Sequence, residues 1–260
     1  MICIVSVFKN EGHAIREWID HHMKEGVDTF FLTDNGSTDT YDIQDYVNSG
    51  KVVLRKDPKK YAQLEHLNYY LKDVKKYDWV IVIDLDEFIY SRLGFKTMKD
   101  YLKTVPKDIY LIKLPGKLFG SNGHIKQPKS IIKGFTRRKK NKEMSFNMGK
   151  SIIRGDKLIE INSQHTPTVK DINQFNHQTL TLKNNTSLPI TMYIPFDENI
   201  LQTSCLHLNH YRIQSWNFYK TVKMKRGDVL KKNMIKRDKL YFKSNDFNDK
   251  LDNELKNKKY

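Results

Sequence analysis

Three observations predict an α/β fold with a mostly parallel central sheet, helices on both faces, a smaller mixed β region and a C-terminal helix. Between residues 2 and 83, apolar runs of strand length alternate with segments of helical periodicity, the rhythm of a parallel sheet covered on both faces. Each run ends on a polar cluster. After Phe88 the alternation is lost and short, irregularly spaced apolar runs take over. At 260 residues the chain is one large domain with enough length for a sizeable core.

Residues 2–8 read as the first strand, closed by Asn10-Glu11-Gly12. Ile15, Trp18, Ile19, His22 and Met23 then fall on one helical face, and Gly26 stops that helix. Val27 to Thr33 is a second strand. It ends on Asp34-Asn35-Gly36-Ser37-Thr38-Asp39, where Gly36 permits a turn and Ser37 or Thr38 caps a helix reaching Tyr46 and Val47. Lys51 to Leu54 is a short third strand. Tyr61, Leu64, Leu67, Leu71 and Val74 mark one further helix, and Trp79–Ile83 a fourth strand. Beyond it, Lys107–Leu114, 130–138, 150–161 and Leu206–Arg212 read as strands, with a glycine-rich loop from Pro115 to His124. Residues 170–200 are polar and irregular. A basic helical stretch runs from Ser215 to about Phe242, and the polar tail 244–260 is expected to fray.

The Trp79–Ile83 strand stops on Asp84, Asp86 and Glu87. In an extended chain Asp84 and Asp86 point the same way while Leu85 packs behind them. Two hard oxygen ligands suit Mg²⁺ or Mn²⁺, which complete their shell with phosphate. An Asp-x-Asp alone is a weak signal, because most such pairs in a highly charged chain are solvated loop residues or helix caps. Topology adds to it. Ligands of open α/β sheets bind at the carboxyl ends of the strands. Asn10/Glu11, Asp34/Asn35/Asp39 and Asp84/Asp86/Glu87 each follow a predicted strand, so they should converge on one sheet edge.

Lys+Arg exceed Asp+Glu by 46 to 30, a net charge of +16. That balance favours anionic partners: nucleotides, nucleic acid or an anionic membrane face. The same excess of Lys beside Asn, Ile and Tyr is also what AT-rich coding produces. No zinc, helix-turn-helix or RNA-reading signature accompanies it, so no specific nucleic-acid partner is expected. Cys3 and Cys205 both sit in apolar surroundings and read as free buried thiols of a reducing compartment. No apolar run approaches the length of a membrane span. Residues 1–8 lack a basic leader and read as a strand rather than a signal peptide.

Taken in order, Phe8-Lys9-Asn10-Glu11, Glu17-Trp18, Gly26-Val27, Asp34-Asn35-Gly36-Ser37-Thr38-Asp39 and Asp84-Leu85-Asp86-Glu87-Phe88 resemble the GT-A fold glycosyltransferases, in the family 2-like and family 92 group. Phe119-Gly120-Ser121-Asn122-Gly123-His124, Phe135-Thr136-Arg137-Arg138, Lys150-Ser151-Ile152-Ile153-Arg154 and His210-Tyr211-Arg212 extend the likeness to about residue 230. The resemblance implies a nucleotide-sugar donor, usually a UDP-sugar, and a glycan or lipid-linked acceptor, with inversion. It divides the 1–243 domain into a nucleotide-binding half (1–90), an acceptor-side half (91–212) and the basic helix (213–243). Mn²⁺ or Mg²⁺ is held by Asp84-x-Asp86, with Asp84 on the ribose as the alternative. Asp34 contacts the uracil, its rival role being an Asx-turn, and Asn10, Glu11 and Asn35 lie alongside. His210 is a further metal ligand or a hydrogen-bonded structural histidine. His207, three residues away on an alternating strand, faces the opposite side.

Glycosyl transfer also needs a base for the acceptor hydroxyl. His124, ending a loop whose glycines permit close approach, is a candidate as that base or as an acceptor-binding residue. Glu87 is the other catalytic candidate, as support behind the metal ligands, or is an exposed carboxylate. Glu143, Asp156, Glu160 and Asp171 are not excluded. Arg137, Arg138, Lys150 and Arg154 are available to a diphosphate or are solvated strand residues. The aromatic side of the basic helix packs on the domain or docks on anionic lipid. A cytoplasmic enzyme, peripheral at the inner membrane face, is the expected setting. The competing functions are a non-catalytic glycan- or nucleotide-binding protein on the same scaffold, and a nucleotidyltransferase, for which Phe8–Gly12 is a poor phosphate loop.

Overall fold

The structure is a computed structural model and describes residues 1–141, 146–170, 178–179, 193–195, 197–226 and 237–260. The alternating part comprises β1 (Ile2–Phe8), α1 (Gly12–Lys24), β2 (Thr29–Asp34), α2 (Gln44–Asn48), β3 (Val52–Lys56), α3 (Gln63–Asn68), α4 (Leu71–Val74) and β4 (Trp79–Val82). Next come β5 (Glu87–Ser91), α5 (Met98–Thr104), β6 (Leu111–Leu118), α6 (Ile131–Gly134), β7 (Arg137–Arg138), β8 (Phe146–Arg154), β9 (Leu158–Glu160) and β10 (Thr168–Val169). After β11 (Gln178–Thr179), β12 (Tyr193–Pro195), α7 (Glu198–Thr203) and β13 (Leu206–His210), the chain turns helical as α8 (Trp216–Phe218), a π turn (Tyr219–Lys223) and α9 (Met224–Arg226). α10 (Lys239–Asn245) and β14 (Lys250–Leu251) complete the described elements.

The main sheet has the order β3-β2-β1-β4-β8-β6-β13-β5. β3, β2, β1 and β4 are parallel neighbours, β8 runs antiparallel between β4 and β6, and β13 pairs with β6 in parallel and β5 in antiparallel. The mixed β region is thus fused to the parallel one. β1 is buried on both faces. Ile2, Ile4 and Phe8 join Trp18 and Ile19 of α1 on one side, while Cys3 and Val5 join Leu67, Tyr70 and Val74 on the other. The unbroken apolar runs follow from this, since no position faces water. α1 is also pinned by hydrogen bonds, Trp18 Nε1 donating to the Glu87 carbonyl at 2.8 Å and His21 Nε2 to that of Ile89 at 2.7 Å.

Several local expectations are corrected. Residues 61–74 form two short helices, α3 and α4, instead of one. The helix expected from Ser37 begins only at Gln44, because the 37–39 amides bond Asp34 and Asn10 instead of starting a helical ladder. Residues 130–138 hold helix α6 and only a two-residue strand; Glu17 accepts from the Ile131 amide and the Ser130 hydroxyl and fixes that helix start. The 150–161 strand breaks at Gly155, where a Cβ would lie 2.1 Å from the Tyr77 carbonyl oxygen. β6 continues through Gly116 to Leu118, so the glycine-rich loop is shorter than expected. The basic stretch after Ser215 is helical to Arg226 and again over α10; residues 227–236, expected to join the two, lie outside the described residues, as do Glu143, Asp171 and most of 170–200.

The largest correction concerns the tail. It is docked, not frayed. Lys117 Nζ, fully buried, meets Asp252 Oδ2 at 3.0 Å and donates to the Tyr90 hydroxyl at 2.7 Å. Arg138 bonds Asp252 and Glu198 at 2.6 and 2.7 Å, and Glu254 takes Arg92 Nε at 2.7 Å and sits 3.0 Å from His207 Nδ1. The Tyr260 hydroxyl donates to His21 Nδ1 at 3.0 Å. Cys3 and Cys205 are free and buried. Among the described residues, no helix is long and apolar enough to cross a membrane.

Candidate active site

The parallel strands deliver their polar ends to one edge, and hydrogen bonds lock those ends together. Asn10, at φ 54°, accepts from the Thr38 amide at 2.6 Å and the Asp39 amide at 3.4 Å, and its own amide donates to Ser37 Oγ at 3.0 Å. Asn tolerates this left-handed backbone better than most residues. Gly12 N–H reaches Asp39 Oδ2 at 2.8 Å. The loops after β1 and β2 therefore form one rigid shelf. Asp34 is tied into it: Oδ1 accepts from the Ser37 amide and Oδ2 from the Tyr41 hydroxyl, both at 2.7 Å. That is the Asx-turn reading of Asp34. Asn35 gives its side-chain N–H groups to the Asp57 and Lys59 carbonyls, at 2.9 and 2.8 Å, and so braces the end of β3.

The chain after β4 is a turn, not extended: Glu87 N–H bonds the Asp84 carbonyl at 3.1 Å. Alternation therefore does not place Asp84 and Asp86. The turn gathers Asp84, Asp86 and Glu87 with Glu11, Lys150, His210, Lys223 and Arg226 around one centre. Lys150 Nζ, from β8, lies 2.9 Å from Asp84 Oδ2 and 3.2 Å from Glu87 Oε2. Lys223 Nζ lies 2.7 Å from Asp86 Oδ2 and 3.1 Å from Glu11 Oε1, which Arg226 also reaches at 2.5 Å. His210 Nε2 stands 3.5 Å from Asp86 Oδ1, and its Nδ1 stands 3.6 Å from Glu87 Oε1. β13 pairs with β5 so that His210 lies opposite Glu87 and His207 opposite Tyr90, on different faces as predicted. Among the described residues, no hydrogen bond or ion pair joins Asp34 to this cluster. It stands two strands away from β4, roughly 10 Å by sheet spacing.

Burial dominates the electrostatics. It works against the charged form of Glu11, but Lys223 and Arg226 outweigh it and hold the carboxyl down to about 2. Burial pushes Glu87 up to about 8, with Asp84 and Asp86 adding to the rise and Lys150 opposing it. Burial also drives His210 well below the usual imidazole range, leaving a neutral ring with a lone pair available to a metal.

Whether the residues fit a divalent cation turns on Asp86. Its Oδ1 is buried and has no hydrogen-bond partner among the described residues, while Oδ2 is held by Lys223. An orphaned buried carboxylate oxygen 3.5 Å from an imidazole nitrogen is a two-ligand seat, the kind that Mn²⁺ or Mg²⁺ completes with phosphate and water. Among the described residues, no group of three or more His, Cys, Asp or Glu forms a fuller metal cage. Asp84 likewise has one oxygen, Oδ2, held by a lysine, Lys150, and is the more exposed of the Asp-x-Asp pair.

His124 lies apart from the centre. Its Nε2 donates to the Gly134 carbonyl at 2.9 Å and its ring packs edge-on against Phe135. Of the glycines before it, Gly120 serves the tail: a Cβ there would lie 2.3 Å from the Phe247 carbonyl oxygen, and Ser121 donates to Asp246 through its amide and hydroxyl. Arg137 and Arg138 bond the tail, and Arg154 bonds the Ile109, Val105 and Pro106 carbonyls. Asp156 pairs with Lys157 at 3.3 Å, and Glu160 is exposed on β9. Lys150 was legible only as one of several basic residues. Lys223 and Arg226 were read merely as part of a basic helix, although Tyr219, Lys223 and Arg226 at i, i+4 and i+7 mark one helical face.

The sequence profile of glycosyltransferase family 92 matches residues 1–258. A rice (Oryza sativa subsp. japonica) family 92 protein is 27% identical over 84% of this chain and 34% of its own length. A castor bean (Ricinus communis) family 92 protein is 23% identical over 84% of this chain and 36% of its own length. The chain thus spans about a third of the curated relatives it matches. Among solved structures, Staphylococcus aureus TarS 1-349 in complex with UDP-GlcNAc is similar at a TM-score of 0.41, with 16% identity over 77% of this chain and 60% of that one. The carboxylate-rich strand ends thus lie in a chain that belongs to glycosyltransferase family 92.

Proposed function

We propose that the chain is a glycosyltransferase that moves a sugar from a UDP-sugar to a hydroxyl of a glycan or lipid-linked acceptor, with inversion. The observation that carries this reading is Asp86: one oxygen held by Lys223, the other buried, unpartnered and 3.5 Å from His210. Such a feature at the carboxyl edge of a parallel sheet, in a family 92 chain, is what a donor diphosphate and its cation require. Asp86 and His210 would hold Mn²⁺ or Mg²⁺, which as a Lewis acid offsets the charge on the departing nucleoside diphosphate. The shelf built by Asn10, Asp34 and Asn35 is tied by hydrogen bonds at the end of β2, where the base of a nucleoside would lie. Glu87 lies on the other side of His210, its Oε1 3.6 Å from Nδ1. Lys150 fixes Asp84 through its Oδ2.

A thermal-shift panel of nucleotide sugars with and without Mn²⁺ tests the reading. UDP-sugars are expected to raise Tm by several degrees only with the metal, since a ligand bound to the native state alone stabilises by mass action. Equal, absent or metal-indifferent shifts across the panel would remove it. Anomeric coupling in the NMR spectrum of the product reports the stereochemical outcome.

A further inference from the structure

The helix after Ser215 carries its basic residues in two directions. Lys220 and Lys225 face solvent, whereas Lys223 is buried and Arg226 reaches inward. Ser215 Oγ caps the first turn by accepting from the Phe218 amide, and a π turn over Tyr219–Lys223 follows. Such turns are uncommon and recur at functional sites. Lys223 and Arg226, three residues apart, emerge on one side and enter the acidic centre together.

We propose that Lys223 and Arg226 are ligands of the donor's diphosphate, which Asp86 and Glu11 hold in readiness in the donor-free chain. This rests on the nucleotide-sugar reading above. Desolvating a cation is costly, and this stretch has other lysines that stay in water, so basic composition does not account for an inward pair. Position does. The two cations sit at the ends of β1 and β4, where phosphates lie in open sheets. Arg226 also donates to the Lys9 carbonyl at 3.2 Å, which sets it against the loop after β1. With Glu11, Asp84 and Asp86 at this centre, an entering diphosphate would be repelled unless cations stand between. A planar guanidinium matches two phosphate oxygens, and the ammonium supplies a compact charge beside it. An ammonium has three N–H donors and a guanidinium five, so each cation can take phosphate oxygens while it stays paired with Glu11 or Asp86, and no buried carboxylate is left alone.

The test separates phosphate recognition from folding by comparing UDP with uridine. UDP affinity is measured by calorimetry, and uridine affinity by saturation-transfer NMR, for the unmodified chain, Lys223→Met, Lys223→Arg and Arg226→Gln. Lys223→Met and Arg226→Gln are each expected to weaken UDP by at least about tenfold, the loss of a charge-assisted contact. Uridine should stay within about twofold, and Lys223→Arg should recover most of the UDP affinity. UDP binding that is unchanged or tighter in both variants, or uridine binding that falls in parallel, would overturn the proposal. Arg226, partly exposed, keeps the test decisive if Lys223→Met does not fold. An unmodified chain that binds no nucleotide would instead remove the donor reading itself.

Discussion

The two oxygens of Asp86 have different partners. Oδ2 is paired with Lys223 at 2.7 Å, and Oδ1 faces His210 without a hydrogen bond. Asp86→Asn keeps the shape and removes the charge. It is expected to lower UDP-sugar turnover by about 100-fold or more, the scale of losing one charge-stabilising group at a reacting centre. A turnover assay with a melting curve checks it; near-normal turnover in a folded variant would displace Asp86 from the site. At this scale the sequence pointed to Asp84 and Asp86, because carboxylates at a strand end are a local pattern, and the family resemblance pointed to His210. It did not show which Asp86 oxygen is free. That depends on Lys223, 137 positions later.

At the scale of elements, the tail and the loop after β6 define each other. Gly120 touches the backbone of Phe247, so Gly120→Ala is expected to destabilise the chain by about 1–3 kcal/mol, the usual cost of overpacking. Asp252→Ala leaves Lys117 buried without its closest carboxylate and should cost about 3–5 kcal/mol. Denaturant unfolding measures both, and midpoints unchanged from the parent would mean the tail is not part of the cooperative fold. Gly120 was visible in the sequence, and its partner was not. A glycine required by a tail 127 residues downstream looks the same as one that lets a substrate approach. α1 was legible in full, because its apolar positions keep helical spacing and all face one core.

Across the whole molecule, buried histidines set the pH range of stability. Burial lowers His21 to about 4, with the Ile89 carbonyl opposing and Lys258 and Lys24 adding to the drop. Burial likewise lowers His207 to about 4; Lys117 and Arg92 reinforce it, Glu254 opposes it, and Tyr90 is its hydrogen-bond neighbour. Both folded values lie below the ordinary imidazole value near 6.5. The unfolded chain therefore takes up these protons first. Their contribution is fully present above about pH 6.5 and is lost as pH falls toward about 4. Glu87, raised to about 8 by burial, works in the opposite direction over this range, so the comparison with His207→Gln isolates the ring. Tm should fall less steeply between pH 7 and pH 4.5 in that variant, and an identical slope would show that His207 is not buried neutral.

By itself the sequence determined the alternating sheet, its double-sided core, the carboxylates at the strand ends and the family. Each of these is written in short-range periodicity or in motifs a few residues long. Only the tertiary structure decided the counter-charges: Lys150, Lys223 and Arg226 at the carboxylates, and Lys117 and Arg138 beneath the tail. A lysine bound for water and one bound for the interior share the same local spacing. Which it becomes depends on the carboxylate that folding sets in front of it, since a charge stays buried only where an opposite one meets it.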